Sequence, residues 1–146
     1  MSTTTLTAPY VLEYTYKRSV GPVIGRFLAA LRDGRLEGVR TKSGRVLVPP
    51  AEYDESGEPT GEAVPLPPTG TVTTWAWVER PRPKHPLQHA FAWALIQLDG
   101  ADTALLHAVD AGSMARMKTG MRVRARFRAE RKGEIRDLEC FDPESP

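Results

Sequence analysis

The chain has 146 residues, of which 40% are apolar and 26% charged, with a formal net charge of +2. This size and balance suit one domain, or one domain with a small appendage, around a single core. No stretch approaches the ~20 apolar residues of a membrane span, and the N-terminal residues lack the pattern of a secretory signal. The one cysteine, Cys140, excludes an internal disulfide and a cysteine-only zinc site. We therefore expect a soluble, cytoplasmic protein.

The first half of the chain predicts mixed local structure. In chain order it holds an alternating extended run, an amphipathic helix, a β-hairpin and an acidic, Pro- and Gly-rich loop: Tyr10–Tyr16, residues 20–33, Leu36–Thr41 with Arg45–Val48, and residues 49–70. The helix is predicted because apolar residues recur at helical spacing before Gly34. The hairpin is predicted because a turn-like tripeptide, Lys42-Ser43-Gly44, separates its two arms.

The second half predicts a β-barrel. Five runs have the character of strands: residues 71–79, 89–98, 103–109, 121–129 and 134–141. A short helical turn is expected at Ser113–Lys118, between the third and fourth strands. Five strands with a short helix after the third are what an OB-fold barrel requires. The expected architecture is mainly β, with an N-terminal segment over residues 1–69 and an OB-fold domain over residues 70–146.

The fourth predicted strand is two-faced. Apolar residues alternate with Arg122, Arg124, Arg126 and Arg128, so one face should line the barrel while the other presents a row of guanidinium groups. Such a row either meets an anionic partner or is neutralised by acids on a neighbouring strand. Asp137 and Glu139 lie on the next predicted strand, and both interpretations stay open.

The sequence offers few residues for catalysis. The three histidines have no metal-ligand spacing, and no nucleophile elbow or phosphate-binding glycine loop is present. His107 is interpreted as a surface or hydrogen-bonded barrel residue, and Cys140 as a packing residue. We predict no catalytic residue and no metal site in this chain, and we do not expect it to be an enzyme by itself.

A basic, proline-stiffened loop, Arg80–Gln88, joins the first two predicted barrel strands. It is either a solvated loop or a contact for an anionic ligand such as the phosphates of coenzyme A, or for a partner. The candidate ligand-binding residues are Arg80, Arg82, Lys84, His85 and His89. Of these, Arg82, Lys84, His85 and His89 are also the only candidates for a local site if the chain were an independent enzyme or acyl-CoA-binding protein.

Large aromatic residues accompany these cations. Tryptophans on OB-fold strands either stack nucleobases, as in single-stranded nucleic-acid binding modules, or occupy the barrel or a protein interface. The nucleic-acid interpretation is kept as the alternative function. The candidate interface residues are Phe27, Leu31, Trp75, Trp77 and Trp93.

The order of these elements resembles a known family. A helix, a hairpin ending in Val-Leu-Val-Pro-Pro at residues 46–50, and a five-stranded barrel resemble the bacterial and archaeal proteins that join a rubredoxin-like zinc ribbon to an OB-fold. These proteins form the domain-of-unknown-function family thirty-five, which is associated with acyl-CoA. The resemblance covers residues from about 20 to 142. Further local matches are Phe27-Leu28, Leu36-Glu37-Gly38 and Gly120-Met121-Arg122-Val123.

The chain departs from that family at the ribbon. The family usually carries two C-x-x-C pairs there, whereas this chain reads Arg40-Thr41-Lys42-Ser43 and Tyr53-Asp54-Glu55-Ser56-Gly57. Tetrahedral zinc needs thiolate or imidazole donors, and neither loop has one. We therefore expect a degenerate ribbon without zinc, in which hairpin packing replaces the metal.

Members without these cysteines are similar to the domain that partners sterol-carrier-protein-type thiolases. Some form the end of a MaoC-like enoyl-CoA hydratase subunit in steroid side-chain degradation, and others are separate subunits. The resemblance implies a non-catalytic partner subunit of a thiolase-like aldolase or thiolase, which cleaves a carbon–carbon bond of an acyl-CoA. It implies a hetero-oligomer. The low net charge disfavours a nucleic-acid partner, and no membrane partner is expected.

Overall fold

The computed structural model describes residues 2–144. In chain order its elements are α1 (Pro22–Arg32), β1 (Leu36–Arg40), β2 (Val46–Leu47), β3 (Glu62–Leu66), β4 (Thr69–Val78), β5 (Phe91–Leu98), β6 (Leu105–Val109), β7 (Arg122–Phe127) and β8 (Leu138–Pro143). Two 3₁₀ turns cover Met114–Arg116 and Ile135–Asp137. Over the described range, no helix has the length and apolar character needed to cross a membrane.

Helix α1 forms where the sequence predicts it, with slightly shorter bounds. It begins at Pro22, a residue favoured in the first turn because its missing N–H would have no partner there. The carboxylate of Glu52 accepts hydrogen bonds from the N–H groups of Val23 and Ile24, at 2.9 and 3.2 Å, and so caps the helix from a distant loop. Phe27 and Leu31 lie on its buried face.

A three-stranded sheet follows, in the order β2-β1-β3. The predicted hairpin is confirmed as β1 and β2. The interpretation of residues 49–70 as loop is wrong at its end, because β3 pairs antiparallel with β1 from Leu36–Leu66 to Arg40–Glu62. The sequence did not predict this strand, because the proline and glycine residues near it are typical of loops. Pro65 is tolerated because β3 lies at an edge of the sheet, where one missing N–H breaks no ladder on the outer side.

The remaining five strands close into a barrel in the order β4-β5-β6-β8-β7. Neighbouring strands are antiparallel except β6 and β8, which are parallel. Gly70 permits close approach of β4 to β5, since a Cβ there would lie 2.7 Å from the carbonyl oxygen of Gln97. All five predicted strands and the turn after the third are present, so the OB-fold expectation is confirmed. The last strand begins at Leu138, after a 3₁₀ turn.

One hydrophobic core joins the helix to the barrel. Phe27 and Leu31 of α1 share a buried cluster with Val72, Ile96 and Phe141 of the barrel. The predicted division after residue 69 falls one residue into β4, and the core runs across it. The alternating run Tyr10–Tyr16 lies outside this body, because residues 2–20 are exposed and have no regular secondary structure.

Candidate functional site

The arginine row of β7 is neutralised by acids of the same chain. Arg122 donates two hydrogen bonds to Asp99, at 2.8 and 2.6 Å, and Arg124 lies 3.4 Å from Glu144. Hydrogen bonds from Arg122 and from the hydroxyl of Thr69 lower the pKa of Asp99 to about 2. Arg122, Arg124 and Arg126 therefore form ion pairs on the barrel wall. Arg128, the last member of the predicted row, follows β7 and has no ion pair within residues 2–144.

Arg126 is the centre of this network. Its guanidinium contacts Asp110 at 3.0 Å, Glu139 at 3.1 Å and Asp142 at 2.7 Å. Burial alone would raise the pKa of Asp110, but hydrogen bonds from His89 and Arg126 outweigh it and hold the pKa below its usual range. Three carboxylates around one guanidinium leave no positive charge for an external phosphate.

Asp137, the other acid considered for the row, has a different role. Its carboxylate is buried and accepts backbone N–H groups of Lys132, Gly133 and Glu134 at 2.7–3.2 Å. Burial opposes ionisation, but these hydrogen bonds overcome it and lower the pKa of Asp137. This residue shapes the turn before β8, whereas Glu139 pairs with Arg126 as the sequence suggested.

Cys140 lies beside the same network. Its Sγ, with carboxylate oxygens of Asp110 and Asp142, forms a group of three potential ligand atoms within 4.8 Å of one another. Burial raises the pKa of the thiol to about 12, so it is protonated at neutral pH. Arg126 already contacts both carboxylates. The geometry suits a packed thiol rather than a nucleophile or a metal ligand.

His107 is buried inside the barrel against Phe141, with ring centroids 5.9 Å apart. Its Nδ1 accepts the N–H of Ala108 at 2.9 Å. Burial lowers the pKa of His107 to about 4, so the ring is neutral near pH 7. It is a hydrogen-bonded barrel residue.

The loop Arg80–Gln88 packs against the outer barrel wall through a small apolar cluster. The ring of His85 makes edge contacts with Phe91 and Trp93, at centroid distances of 5.6 and 6.0 Å, and its Nδ1 accepts the N–H of Arg82. His89 pairs with Asp110 at 2.9 Å. These two candidate ligands therefore hold the loop on the barrel, whereas Arg80, Arg82 and Lys84 remain exposed.

A groove of about 220 Å³ lies beside this loop. Its lining combines apolar and cationic side chains: Lys84, Trp93, Leu106, Arg128, Ile135 and Arg136. Leu106 and Ile135 are 59% and 47% exposed. Within residues 2–144 no carboxylate forms an ion pair with Lys84, Arg128 or Arg136. The sequence did not indicate Arg128 and Arg136 as part of one site, because the barrel alone brings them beside Lys84.

The other candidate interface residues point mostly inward. Phe27 and Leu31 are 4% and 0% exposed, so their side chains are unavailable to a partner. Trp75 and Trp77 pair with Ala94 and Ala92 and pack against the main core. Because these tryptophans are half-buried against the core and Arg122, Arg124 and Arg126 are paired with acids, the features that motivated nucleic-acid binding do not form a common exposed face.

A second groove, of about 370 Å³, lies between α1 and the three-stranded sheet. Glu37 borders this groove, and Arg35 donates a hydrogen bond to Oε1 of Glu37 at 2.6 Å. The other oxygen, Oε2, is buried without a hydrogen bond and lies 3.6 Å from Nε of Arg26. Sequence reasoning missed Glu37 as a candidate, since it gives no motif.

These features define a small OB-fold protein whose barrel is preceded by a helix and a three-stranded sheet. Residues 63–128 match the family model described as "ChsH2, C-terminal OB-fold domain". The match covers β3 to β7, less than half of the chain, and agrees with the OB-fold topology of the barrel. The resemblance to the domain-of-unknown-function family thirty-five (DUF35) is confirmed. A search of curated protein sequences found no match.

Two solved structures are similar to the chain. One, titled "Ltp2-ChsH2(DUF35) aldolase", has a TM-score of 0.60 and 19% identity, and the match covers 87% of this chain and 98% of that one. The other is a DUF35 family protein of unknown function from Sulfolobus solfataricus, with a TM-score of 0.58 and 20% identity, covering 72% of this chain and 78% of that one. At these identities the likeness establishes the fold.

Proposed function

We propose that the chain is a non-catalytic partner subunit that binds and stabilises a thiolase-like aldolase or thiolase in the cytoplasm. The catalytic subunit cleaves a carbon–carbon bond of an acyl-CoA, with a steroid side-chain thioester as the substrate. The likeness to a chain of the Ltp2-ChsH2 aldolase supports the assignment. The proposal makes the protein a hetero-oligomer component, with a degenerate ribbon that binds no zinc.

The observation that carries the proposal is the amount of apolar surface that this fold leaves uncovered. Large apolar side chains are exposed on the barrel wall, as at Leu106 and Ile135, and along residues 2–20, where Tyr10 is 83% exposed. Soluble monomers rarely leave such surface uncovered unless it binds something. By contrast, the polar residues suited to chemistry, Cys140 and His107, are buried, with the thiol protonated and the imidazole neutral.

The exposed cations give the subunit a second role within the complex. Lys84, Arg128 and Arg136, which line the groove, and Arg82, which is exposed in the adjoining loop, are suited to the phosphate groups of coenzyme A. A guanidinium or ammonium group gains most from phosphate where it has no internal counter-ion. In this proposal they bind the nucleotide end of the thioester at the rim of the complex.

The test begins with capture of the tagged full-length chain and identification of a thiolase-like protein in equal amount. The two proteins are then produced separately and together, and cleavage of a steroid acyl-CoA is measured. We expect a stable complex, with turnover that needs the catalytic subunit and increases when this chain is added. Equal turnover with and without the chain, and no complex, would contradict the proposal.

The phosphate role is tested in the same assay with the double variant Arg82→Ala, Lys84→Ala. We expect KM for the acyl-CoA to rise about tenfold while kcat is retained, since only substrate binding loses contacts. Lys118→Ala is the matched control, because Lys118 is exposed and lies outside the groove. An unchanged KM for the double variant would remove the phosphate role and leave the partner role standing.

A further inference from the structure

Residues 2–20 precede the folded body and form a segment that we call the N-terminal arm. All its residues are exposed. Within residues 2–144, no hydrogen bond or ion pair joins the arm to the body, and its one aromatic contact is between Tyr14 and Tyr16, 6.4 Å apart. The hydrogen bonds and ion pairs that hold the body together therefore do not involve the arm.

The composition of the arm does not fit a solvated tail. Tyr10, Leu12, Tyr14 and Tyr16 are 71–83% exposed. In an extended chain, residues at i, i+2, i+4 and i+6 lie on one side, so these four form a single apolar face. A tyrosine buries about 150–250 Å² when covered. Three tyrosines together with Leu12 approach the ~800 Å² that one partner contributes to an interface of standard size.

The body has no suitable strand edge for this face. The barrel is closed and leaves no edge. On the three-stranded sheet, β2 is blocked because the N–H groups of Val46 and Val48 donate to Asp102 and Thr103, at 2.8 and 2.7 Å. The opposite edge, β3, contains Pro65, which has no N–H. A second copy of the chain would offer the same edges, so the arm fits a different protein better.

The point at which the arm leaves the body is fixed. Gly21 has φ +83° and would place a Cβ against the Glu52 carboxylate, which caps α1. Near its end the arm carries Lys17 and Arg18, for which no carboxylate lies within ion-pair distance in the part of the chain that the structure describes. An apolar face followed by two cations calls for an apolar groove with acidic residues at one end.

We propose that the arm is a docking segment that binds the catalytic subunit of the complex in an extended conformation. Its tyrosine face lies in an apolar groove of that subunit, and Lys17 and Arg18 contact acidic side chains at the end of the groove. This inference rests on the proposed function and adds to it the segment that makes the contact. The anchored turn at Gly21 sets the direction in which the arm leaves the body.

The test is calorimetric titration of the full-length chain into the purified catalytic subunit. The variant Tyr10→Ser, Tyr14→Ser, Tyr16→Ser removes the aromatic face, and the control Val11→Ser, Glu13→Gln, Thr15→Ser changes the opposite face of the same segment. We expect Kd to rise about 100-fold or more for the tyrosine variant, because buried tyrosines are typical binding hot spots. The control should change Kd by less than about threefold, with the Tm of both free chains unchanged.

The outcomes separate the two proposals. If the parent chain binds and the tyrosine variant binds equally well, the docking role of the arm is refuted and the partner role stands. If the parent chain does not bind the catalytic subunit, the proposed function is refuted and the arm proposal with it. Arm-dependent dimerisation of the parent chain alone, measured by light scattering, would assign the arm to a second copy and overturn the inference.

Discussion

In two segments of this chain, residue types alternate with a period of two. The side chains of one segment are paired within the molecule, whereas those of the other are exposed. The arginine row of β7 finds its partners inside the molecule, as Arg126 does with Asp110, Glu139 and Asp142. The tyrosine face of the N-terminal arm forms no hydrogen bond or ion pair with the body within residues 2–144, and Tyr14 is 73% exposed. Alternation predicts two faces for each segment, but it does not say what covers either face.

The difference separates internal stability from external binding. The carboxylates around the arginine row come from β8 and from the ends of β5 and β6, so the barrel must form before the charges meet. The tyrosine row lies outside every sheet. We infer that residues paired within the body determine its free energy of unfolding, whereas residues left exposed determine what it binds. The following changes test this division, from the largest expected effect to the smallest.

Removing a core aromatic should have the largest effect on stability. Phe141 is fully buried between barrel strands, and we expect Phe141→Ala to lower the free energy of unfolding by about 3–5 kcal/mol. Tyr14→Ala, which truncates an aromatic residue of the arm, should change it by less than about 0.5 kcal/mol. Urea denaturation of both variants measures the difference. Similar losses of unfolding free energy for the two variants would contradict the division between residues that stabilise the body and residues that bind a partner.

Acidification should weaken the barrel through His107. The pKa of His107 is about 4 in the fold against 6.5 for a free histidine, so between these values the unfolded chain binds a proton that the folded chain does not. Stability therefore falls as the pH drops from about 6.5 to 4, by roughly 2–3 kcal/mol. Urea midpoints at pH 7 and 4.5 measure this loss. His107→Gln should abolish most of it and His89→Gln should not; equal pH dependence in all three proteins would contradict the assignment.

Breaking the ion-pair network should have a smaller effect. Arg126→Met leaves Asp110 partly buried without its guanidinium, and we expect a loss of about 1–2 kcal/mol, limited because the Arg126 side chain is 37% exposed. Arg124→Met is the matched control in the same row, since Arg124 is 58% exposed and its one ion pair within residues 2–144 is with Glu144; it should cost less than about 0.5 kcal/mol. Thermal unfolding at low and high salt compares the two, and equal losses would show that the network has no special weight.

The fold was largely predictable from the sequence because its signals are local. The alternation around Arg122–Phe127 and the helical spacing before Gly34 each depend on a few neighbouring residues. Strand β3 was missed because its pairing with β1 is a tertiary effect that outweighs the low strand propensity of a segment containing Pro65. Its neighbours, rich in proline and acidic residues, are typical of loops.

The candidate site was less predictable, because its members come from separate strands. The loop cation Lys84 was identified from local charge, but Arg136, on the far side of the same groove, was not. His85 and His89 were considered as ligands, yet their rings contact Trp93 and Asp110 instead. Whether a side chain points outward or inward depends on the barrel as a whole, and a single strand pattern does not contain that information.

The N-terminal sheet should behave like the arginine row, with ion pairs where the family resemblance places zinc ligands. Its two loops are joined by Lys42 with Glu58, at 3.3 Å, and by Arg45 with Glu55, at 2.7 Å. Because no metal is expected to hold these loops, overnight EDTA treatment should shift the Tm by less than about 1 °C, whereas a structural zinc site loses much of its folding energy on chelation. Elemental analysis of the untreated protein should find less than about 0.1 zinc per chain. A stoichiometric zinc content together with a Tm that falls on chelation would show that a metal, and not the two ion pairs, links the loops.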